Sequence, residues 1–226
     1  MTADFYSSYS SYKNYSTPSL ASKDIKRFDA EIWNPAAFST ELSCLEIGSG
    51  TGEFLFYLAH KGLKNFRGID HDAALKKVQS PEVAPNFECL DLWQYLKGCA
   101  ENKFDRVVLL DVLEHFSPEE GSHLLSLVKK ILRAKGKIIL KVPNAASPWG
   151  LNYQFGDLTH KTSYTSESLR QLATDCALKV DIVYDQKRGS RRRLMTDTIV
   201  NKFLSWALLT PPSLWGANLY CILSSK

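Results

Sequence analysis

The stretch Cys44-Leu45-Glu46-Ile47-Gly48-Ser49-Gly50-Thr51-Gly52 constrains this chain more than any other. An apolar run of strand character enters a turn with glycine at alternate positions, and the helix-forming stretch Glu53 to Lys61 follows at once. Glycine permits the left-handed backbone, so main-chain N–H groups can approach a ligand closely above a helix N-terminus. Tight strand-to-helix turns also need glycine for steric reasons alone, so the context must decide. From residue 42 onward, short apolar runs alternate with amphipathic stretches, which is the pattern of β-α-β units in an α/β fold with a mostly parallel sheet. Strands are expected at Leu42 to Ile47, Phe66 to Ile69, Phe87 to Leu90, Phe104 to Leu110, Lys137 to Val142, Val180 to Tyr184 and Leu219 to Leu223. The clearest helix is Pro118 to Arg133, with Ser117 as N-cap, Pro118 at the first helical position and Glu120 completing a capping box. A second amphipathic helix follows Thr165, with Leu169, Leu172, Ala173 and Cys176 at helical spacing.

Three segments fall outside this pattern. Residues 1–40 carry Tyr6, Tyr9, Tyr12 and Tyr15 at a spacing of three among serines, which reads as an arm or as a lid helix with an aromatic stripe. Residues 143–164 read as a long loop, and loops of that length in compact domains are usually functional. Residues 187–216 read as an insertion: the cations Lys187, Arg188, Arg191, Arg192 and Arg193, then an apolar helix with a narrow polar stripe of Asp197, Asn201 and Ser205. That helix is too short to span a bilayer and is expected to cap an acceptor pocket. The expected organisation is an arm or lid over 1–40 and one domain over 41–226.

The acids give the glycine turn its meaning. Asp70 ends the second strand, where a carboxylate can accept both hydroxyls of a ribose, and His71 follows it. Asp91 lies just past the third strand and Asp111 just past the fourth. These positions share the carboxyl edge of a parallel sheet, where ligands bind in such folds. A dinucleotide site would place a third glycine at 53, but Glu53 stands there, and Glu46 before the loop suits a cationic amine better than a pyrophosphate. Together LEIGSGTGEFLFYLA, GID, ECLDLWQYL and FDRVVLLDVLEHFSPEE resemble successive motifs of the class I S-adenosylmethionine-dependent methyltransferases, over roughly residues 40–185 plus the final strand. The resemblance implies a Rossmann-like sheet of seven strands with helices on both faces, the last strand antiparallel beside the fifth. It implies S-adenosyl-L-methionine as cofactor. Gly48 and Gly50 would shape the methionine pocket, Glu46 would meet the amine and Asp70 the ribose. Asp91 with Leu92 would meet the adenine, Asp91 also capping the helix that starts there, and Leu110 and Asp111 would lie along the methionine moiety.

The acceptor is read from the end of the fourth strand and from the 143–164 segment. Leu110-Asp111-Val112-Leu113 lacks the Asp/Asn-Pro-Pro-Tyr platform that enzymes acting on base amino groups resemble, and no cysteine nucleophile stands in 111–117 or 143–160. The segments Pro143 to Pro148 and Gly156 to Thr165 are similar to a bacterial subgroup that includes enzymes of polysaccharide and sugar biosynthesis. In that loop His160 is the expected base for an attacking hydroxyl, with Asp157 orienting it; the alternative is that both merely tie the loop to the body. His115 reads as a packing residue of its turn. A metal site assembled from Asp157, His160 and Glu114 is a further alternative, but no tight ligand cluster shows in the sequence and no metal is expected. Arg191, Arg192, Tyr153 and Tyr15 are the candidate acceptor contacts.

Composition narrows the setting. Five well-separated cysteines without a C-x-x-C pair argue against a disulfide framework or zinc knuckle, and the N-terminus has no signal-peptide pattern, so a cytoplasmic chain is expected. A net charge of +4 by itself implies no nucleic-acid partner. The arginines beside an apolar helix suit a phosphate-bearing or lipid-linked glycan at the inner face of a membrane. The resulting expectation is O-methylation of a sugar, glycan or small polar metabolite. RNA or protein methylation and a non-catalytic cofactor-binding role are the rivals.

Overall fold

The computed structural model describes residues 15–186 and 189–226, with Arg191 described by its backbone alone. Tyr6, Tyr9, Tyr12, Lys187 and Arg188 lie outside the described residues. The chain forms β1 (Ser43–Ile47), β2 (Asn65–Asp70), β3 (Phe87–Cys89), β4 (Phe104–Leu110), β5 (Leu132–Pro143), β6 (Leu178–Asp185) and β7 (Asn218–Ser225). Its helices are α1 (Ser22–Phe28), α2 (Glu53–His60), α3 (Leu92–Gly98), α4 (Pro118–Ile131), α5 (Pro148–Phe155), α6 (Ser166–Asp175) and α7 (Arg191–Ala207). The seven strands make one sheet in the order β3-β2-β1-β4-β5-β7-β6. β1 to β5 pair in parallel, and β7 runs antiparallel between β5 and β6. The direction of winding reverses between β1 and β4, so the crevice beyond their carboxyl ends is where such a sheet takes a ligand.

β1 shows how the two faces are built. Its five residues are all buried. Leu45 and Ile47 enter one core with Val107, Leu109, Leu124 and Val128. Cys44 enters the other with Phe54, Leu55, Tyr57 and Leu58. Strand residues alternate between faces, so near-continuous apolar runs are what a strand covered on both sides needs. Residues 28–38 also belong to the second core: Phe28, Ile32, Ala36 and Phe38 pack there, and Phe28 meets Tyr57 with ring centroids 5.0 Å apart. Arg106 is 6 % exposed and donates to the carbonyls of Ala36 and Ala37, fastening that segment to β4.

α4 follows its capping signal. Ser117 Oγ accepts from Glu120 N at 3.2 Å and Glu120 Oε2 accepts from Ser117 N at 2.8 Å, while Leu124, Leu125, Val128 and Ile131 turn inward. The helix ends at Ile131 rather than Arg133, because Leu132 is already extended and starts β5. The expected loop over 143–164 contains α5, started by Ser147, whose side chain accepts from Trp149 N, with Pro148 as first helical residue. Asn144 ties this connection down through bonds from Nδ2 to the Leu214 and Gly216 carbonyls.

Candidate active site

At the carboxyl ends of β1, β2 and β4 lies a cleft of about 610 Å³. Gly48 and Gly50 form its floor with φ of 70° and 53°. A Cβ on Gly48 would come within 2.4 Å of Val112 Cγ2, whereas one on Gly50 would meet nothing within 4 Å. Gly48 is therefore fixed by close packing, and the space beside Gly50 is open to a ligand. Asp70 closes the loop: its Oδ2 accepts from Gly50 N at 2.9 Å and its Oδ1 from Asp72 N at 3.1 Å. Gly50, Asp70 and His71 line one side, and Leu75, Leu90, Leu92 and Trp93 supply an apolar wall. Asp91 lines the cleft and also caps α3, accepting from Gln94 N at 3.0 Å. Asp111 holds a left-handed backbone, φ 57°, and accepts from Lys141 Nζ at 2.5 Å. Tyr15 reaches the cleft from the N-terminal side, where burial and a hydrogen bond to Asp72 push its phenol well above the ordinary range.

Glu46 stands apart from these lining residues. It is 3 % exposed on the Cys44 side of β1, behind the glycine loop and not on the cleft wall. Its Oε2 has no hydrogen-bond partner, and burial, then Asp70 and Glu53, raise its carboxyl well above the carboxylate range. Strand alternation sends Glu46 to the face opposite Leu45 and Ile47, so a direct contact with the cofactor amine does not follow from this geometry.

The acceptor end carries a cluster that the sequence kept apart. The main-chain carbonyl of Glu114 accepts from Lys161 N and Thr162 N at 2.8 and 3.1 Å, and Thr162 Oγ1 donates to the Phe116 carbonyl at 2.6 Å. These bonds fasten the 157–162 loop onto the turn after β4. His115 lines the cleft, and His160 packs edge-on behind it with ring centroids 4.7 Å apart. His160 Nδ1 is held 2.9 Å from the Gln154 carbonyl, and its Nε2 stands 4.0 Å from Glu114 Oε1, with the two side chains only 8 % and 0 % exposed. Burial and then Asp111 raise the Glu114 carboxyl well above its usual range. Asp157 acts on the other ring than the one expected: its Oδ1 accepts from Thr159 Oγ1 at 2.6 Å, and that hydroxyl stands 2.9 Å from His115 Nδ1. The histidine on the cleft wall is thus His115, and His160 backs it. Lys161 and Glu120 pair at 3.2 Å on the rim. Neither was singled out in the sequence, although Glu120 was visible as a capping residue.

The remaining expected acceptor contacts lie elsewhere. Tyr153 lines a second cleft of about 460 Å³ with Trp149, Asp185, Trp215 and the inner side of α7. Arg191 opens α7 and Arg192 is exposed on it. α7 borders that second cleft with Leu194, Asp197, Thr198, Val200 and Asn201, and none of its described side chains lines the first. Met195, Ile199, Phe203 and Trp206 form the outer row, each at least 59 % exposed.

A parallel sheet of this order, with a glycine cradle at the switch point and an acid at the end of β2, defines a nucleoside-binding α/β fold. Residues 18–181 match the family model described as a methyltransferase domain, and the chain belongs to that family. An uncharacterized methyltransferase of Staphylococcus carnosus is 25 % identical over 170 residues, 70 % of this chain and 80 % of the relative. A SAM-dependent methyltransferase from Archaeoglobus fulgidus superposes with a TM-score of 0.70 at 22 % identity, covering 99 % of this chain and 100 % of that one. CalO1, a methyltransferase of calicheamicin biosynthesis solved in its SAH-bound form, superposes with a TM-score of 0.57 at 17 % identity, covering 90 % and 55 %. The chain is an S-adenosylmethionine-dependent methyltransferase, and S-adenosyl-L-methionine is its cofactor. The cleft fits that group: it offers open space beside Gly50, a carboxylate at the end of β2 and an apolar wall of Leu75, Leu90, Leu92 and Trp93.

Proposed function

We propose that this chain transfers a methyl group to a hydroxyl of a sugar, a glycan or another small polar acceptor. Gly48 and Gly50 then seat the methionine part of the cofactor, Asp70 takes the ribose hydroxyls, and Asp91 with Leu92 flanks the adenine. S-adenosylmethionine, when bound, supplies an electrophilic methyl group on a sulfonium. The acceptor oxygen gives up its proton and forms the new O–C bond as the C–S bond breaks, the electron pair of that bond staying on sulfur. In-line positioning needs no covalent enzyme intermediate. The observation that supports a hydroxyl acceptor is the imidazole of His115 on the cleft wall, backed by His160 and by the buried Glu114. A hydroxyl is a poor nucleophile near neutrality, and groups that take up its proton typically contribute 10²- to 10⁴-fold.

An anionic or lipid-linked acceptor at a membrane surface also fits α7, whose outer row is apolar and whose first turn carries Arg192 and Arg193. Among the described residues, no helix is long and apolar enough to cross a membrane. The test is a screen with methyl-labelled cofactor against sugar nucleotides, lipid-linked glycans and bulk RNA. Label in an ether of a sugar or small metabolite is the expected result; label confined to RNA or protein overturns the proposal.

A further inference from the structure

The cluster of Glu114, His115 and His160 has the donor set of a cation site. One ligand-type atom from each residue lies within 4.8 Å of the others. Glu114 is fully buried, and neither of its carboxylate oxygens has a hydrogen-bond partner. Leaving a buried carboxylate without compensation is costly, and the usual remedy is a paired charge or a metal.

The outer contacts of the two histidines point the same way. A carbonyl only accepts, so His160 Nδ1 donates to Gln154 and the lone pair resides on Nε2, the atom 4.0 Å from Glu114 Oε1. The single hydroxyl hydrogen of Thr159 goes to Asp157, so the hydroxyl accepts from His115 Nδ1 and the lone pair of that ring resides on its Nε2. Each imidazole is thus fixed in one tautomer by a carbonyl or a carboxylate-backed hydroxyl. Metal-ligating histidines are held in this way. One nitrogen of each ring and a carboxylate oxygen stand within 4.8 Å of one another, and 4.0 Å is too long for a hydrogen bond to join Glu114 to His160. A positive charge between them resolves the arrangement.

We infer that Glu114 Oε, His115 Nε2 and His160 Nε2 bind one divalent cation at the acceptor end of the cleft. Bonds of about 2.1 Å require these side chains to draw in by roughly 1 Å. Two imidazoles and one carboxylate favour a transition-series ion such as Mn²⁺ or Zn²⁺ over Ca²⁺. Because His115 is on the cleft wall, the cation faces the acceptor; when it is bound, the cation and not the imidazole would weaken the hydroxyl's hold on its proton, and it would select molecules that offer it oxygen ligands, such as vicinal diols or hydroxy-carbonyl groups. This last step rests on the methyl-transfer reading; cation binding does not.

The test uses the full chain without a histidine tag, stripped with chelator and dialysed, then titrated with Mn²⁺ by electron paramagnetic resonance and with Zn²⁺ by calorimetry, with S-adenosylhomocysteine present. One equivalent should bind, and His115→Ala and His160→Ala should each weaken binding at least tenfold with unchanged affinity for S-adenosylhomocysteine. Glu114→Gln should do the same; if that buried variant melts early, His115→Ala, on the cleft wall, decides. Absence of binding to the wild type, or His115→Ala binding as tightly as wild type, overturns the inference. Cation binding without any oxygen methylation would overturn the hydroxyl reading and leave this one standing. Full activity in excess chelator with no bound ion would do the reverse.

Discussion

At His115 the Nδ1 nitrogen is fixed by residues far along the chain. Thr159, at a separation of 44 residues, holds Nδ1, and Asp157 holds Thr159. His115→Ala is therefore expected to lower kcat by at least about a hundredfold with cofactor affinity preserved. Asp157→Asn, acting through Thr159, should give a smaller loss in the same direction, and Thr159→Val should reproduce it. Single-turnover rates with a responsive acceptor check this, and near-wild-type kcat in His115→Ala would reduce the ring to packing. The sequence made His160 the candidate and His115 the packing residue, because loop position was legible and the order of the two rings was not. The bonds from Lys161 and Thr162 to the turn after β4 help to set that order.

Ser147-Pro148 and Ser117-Pro118 are the same signal, a capping hydroxyl followed by a residue whose fixed φ suits the first helical turn. Before α4 the signal precedes a long amphipathic pattern and is easily seen. Before α5 the helix spans only Pro148–Phe155, leaving Trp149, Leu151, Tyr153 and Phe155 exposed, so no buried stripe advertises it. α7 misled for a related reason: its apolar row was visible, but its direction was not, and Met195, Ile199, Phe203 and Trp206 face outward while Asp197 and Asn201 of the polar stripe line the second cleft. Reversing Arg192 and Arg193 to Glu, or changing Phe203 and Trp206 to Ser, should reduce sedimentation with anionic vesicles while leaving affinity for S-adenosylhomocysteine unchanged. Equal vesicle binding by wild type and variants would remove the membrane from the functional proposal. Removing the α4 cap with Ser117→Ala should cost about 1 kcal/mol in urea unfolding, and no measurable loss would mean that packing alone holds that end.

For the whole molecule, the sheet was the most legible part. All seven strands stand where the apolar runs lie, since a strand buried on both faces has little freedom in composition. The antiparallel position of β7 came from family resemblance; strand periodicity alone carries no direction. Stability should depend on acid through Asp105. Burial works to raise that carboxyl, but the Ser43 main chain and hydroxyl, with Arg133 at 2.8 Å, outweigh it and hold it below the ordinary value. A lowered folded pKa contributes stability that is present above the unfolded value of about 3.9 and is lost as pH falls through the folded one. Urea midpoints taken from pH 5 downward should therefore fall, and fall less steeply in Asp105→Asn; parallel slopes would show that other carboxylates carry the acid sensitivity.

Methyl transfer at the acceptor end requires that the cleft lined by Gly48, Gly50 and Asp70 hold S-adenosylmethionine. Calorimetric titration of the wild type and Asp70→Ala with S-adenosylhomocysteine, alongside a nicotinamide dinucleotide, decides that point. The wild type should show one site, weakened in Asp70→Ala by about 1.5 to 3 kcal/mol with folding confirmed by melting, and no competition from the dinucleotide. Unchanged affinity in Asp70→Ala, or tighter binding of the dinucleotide, would mean that the cleft is not that cofactor's site.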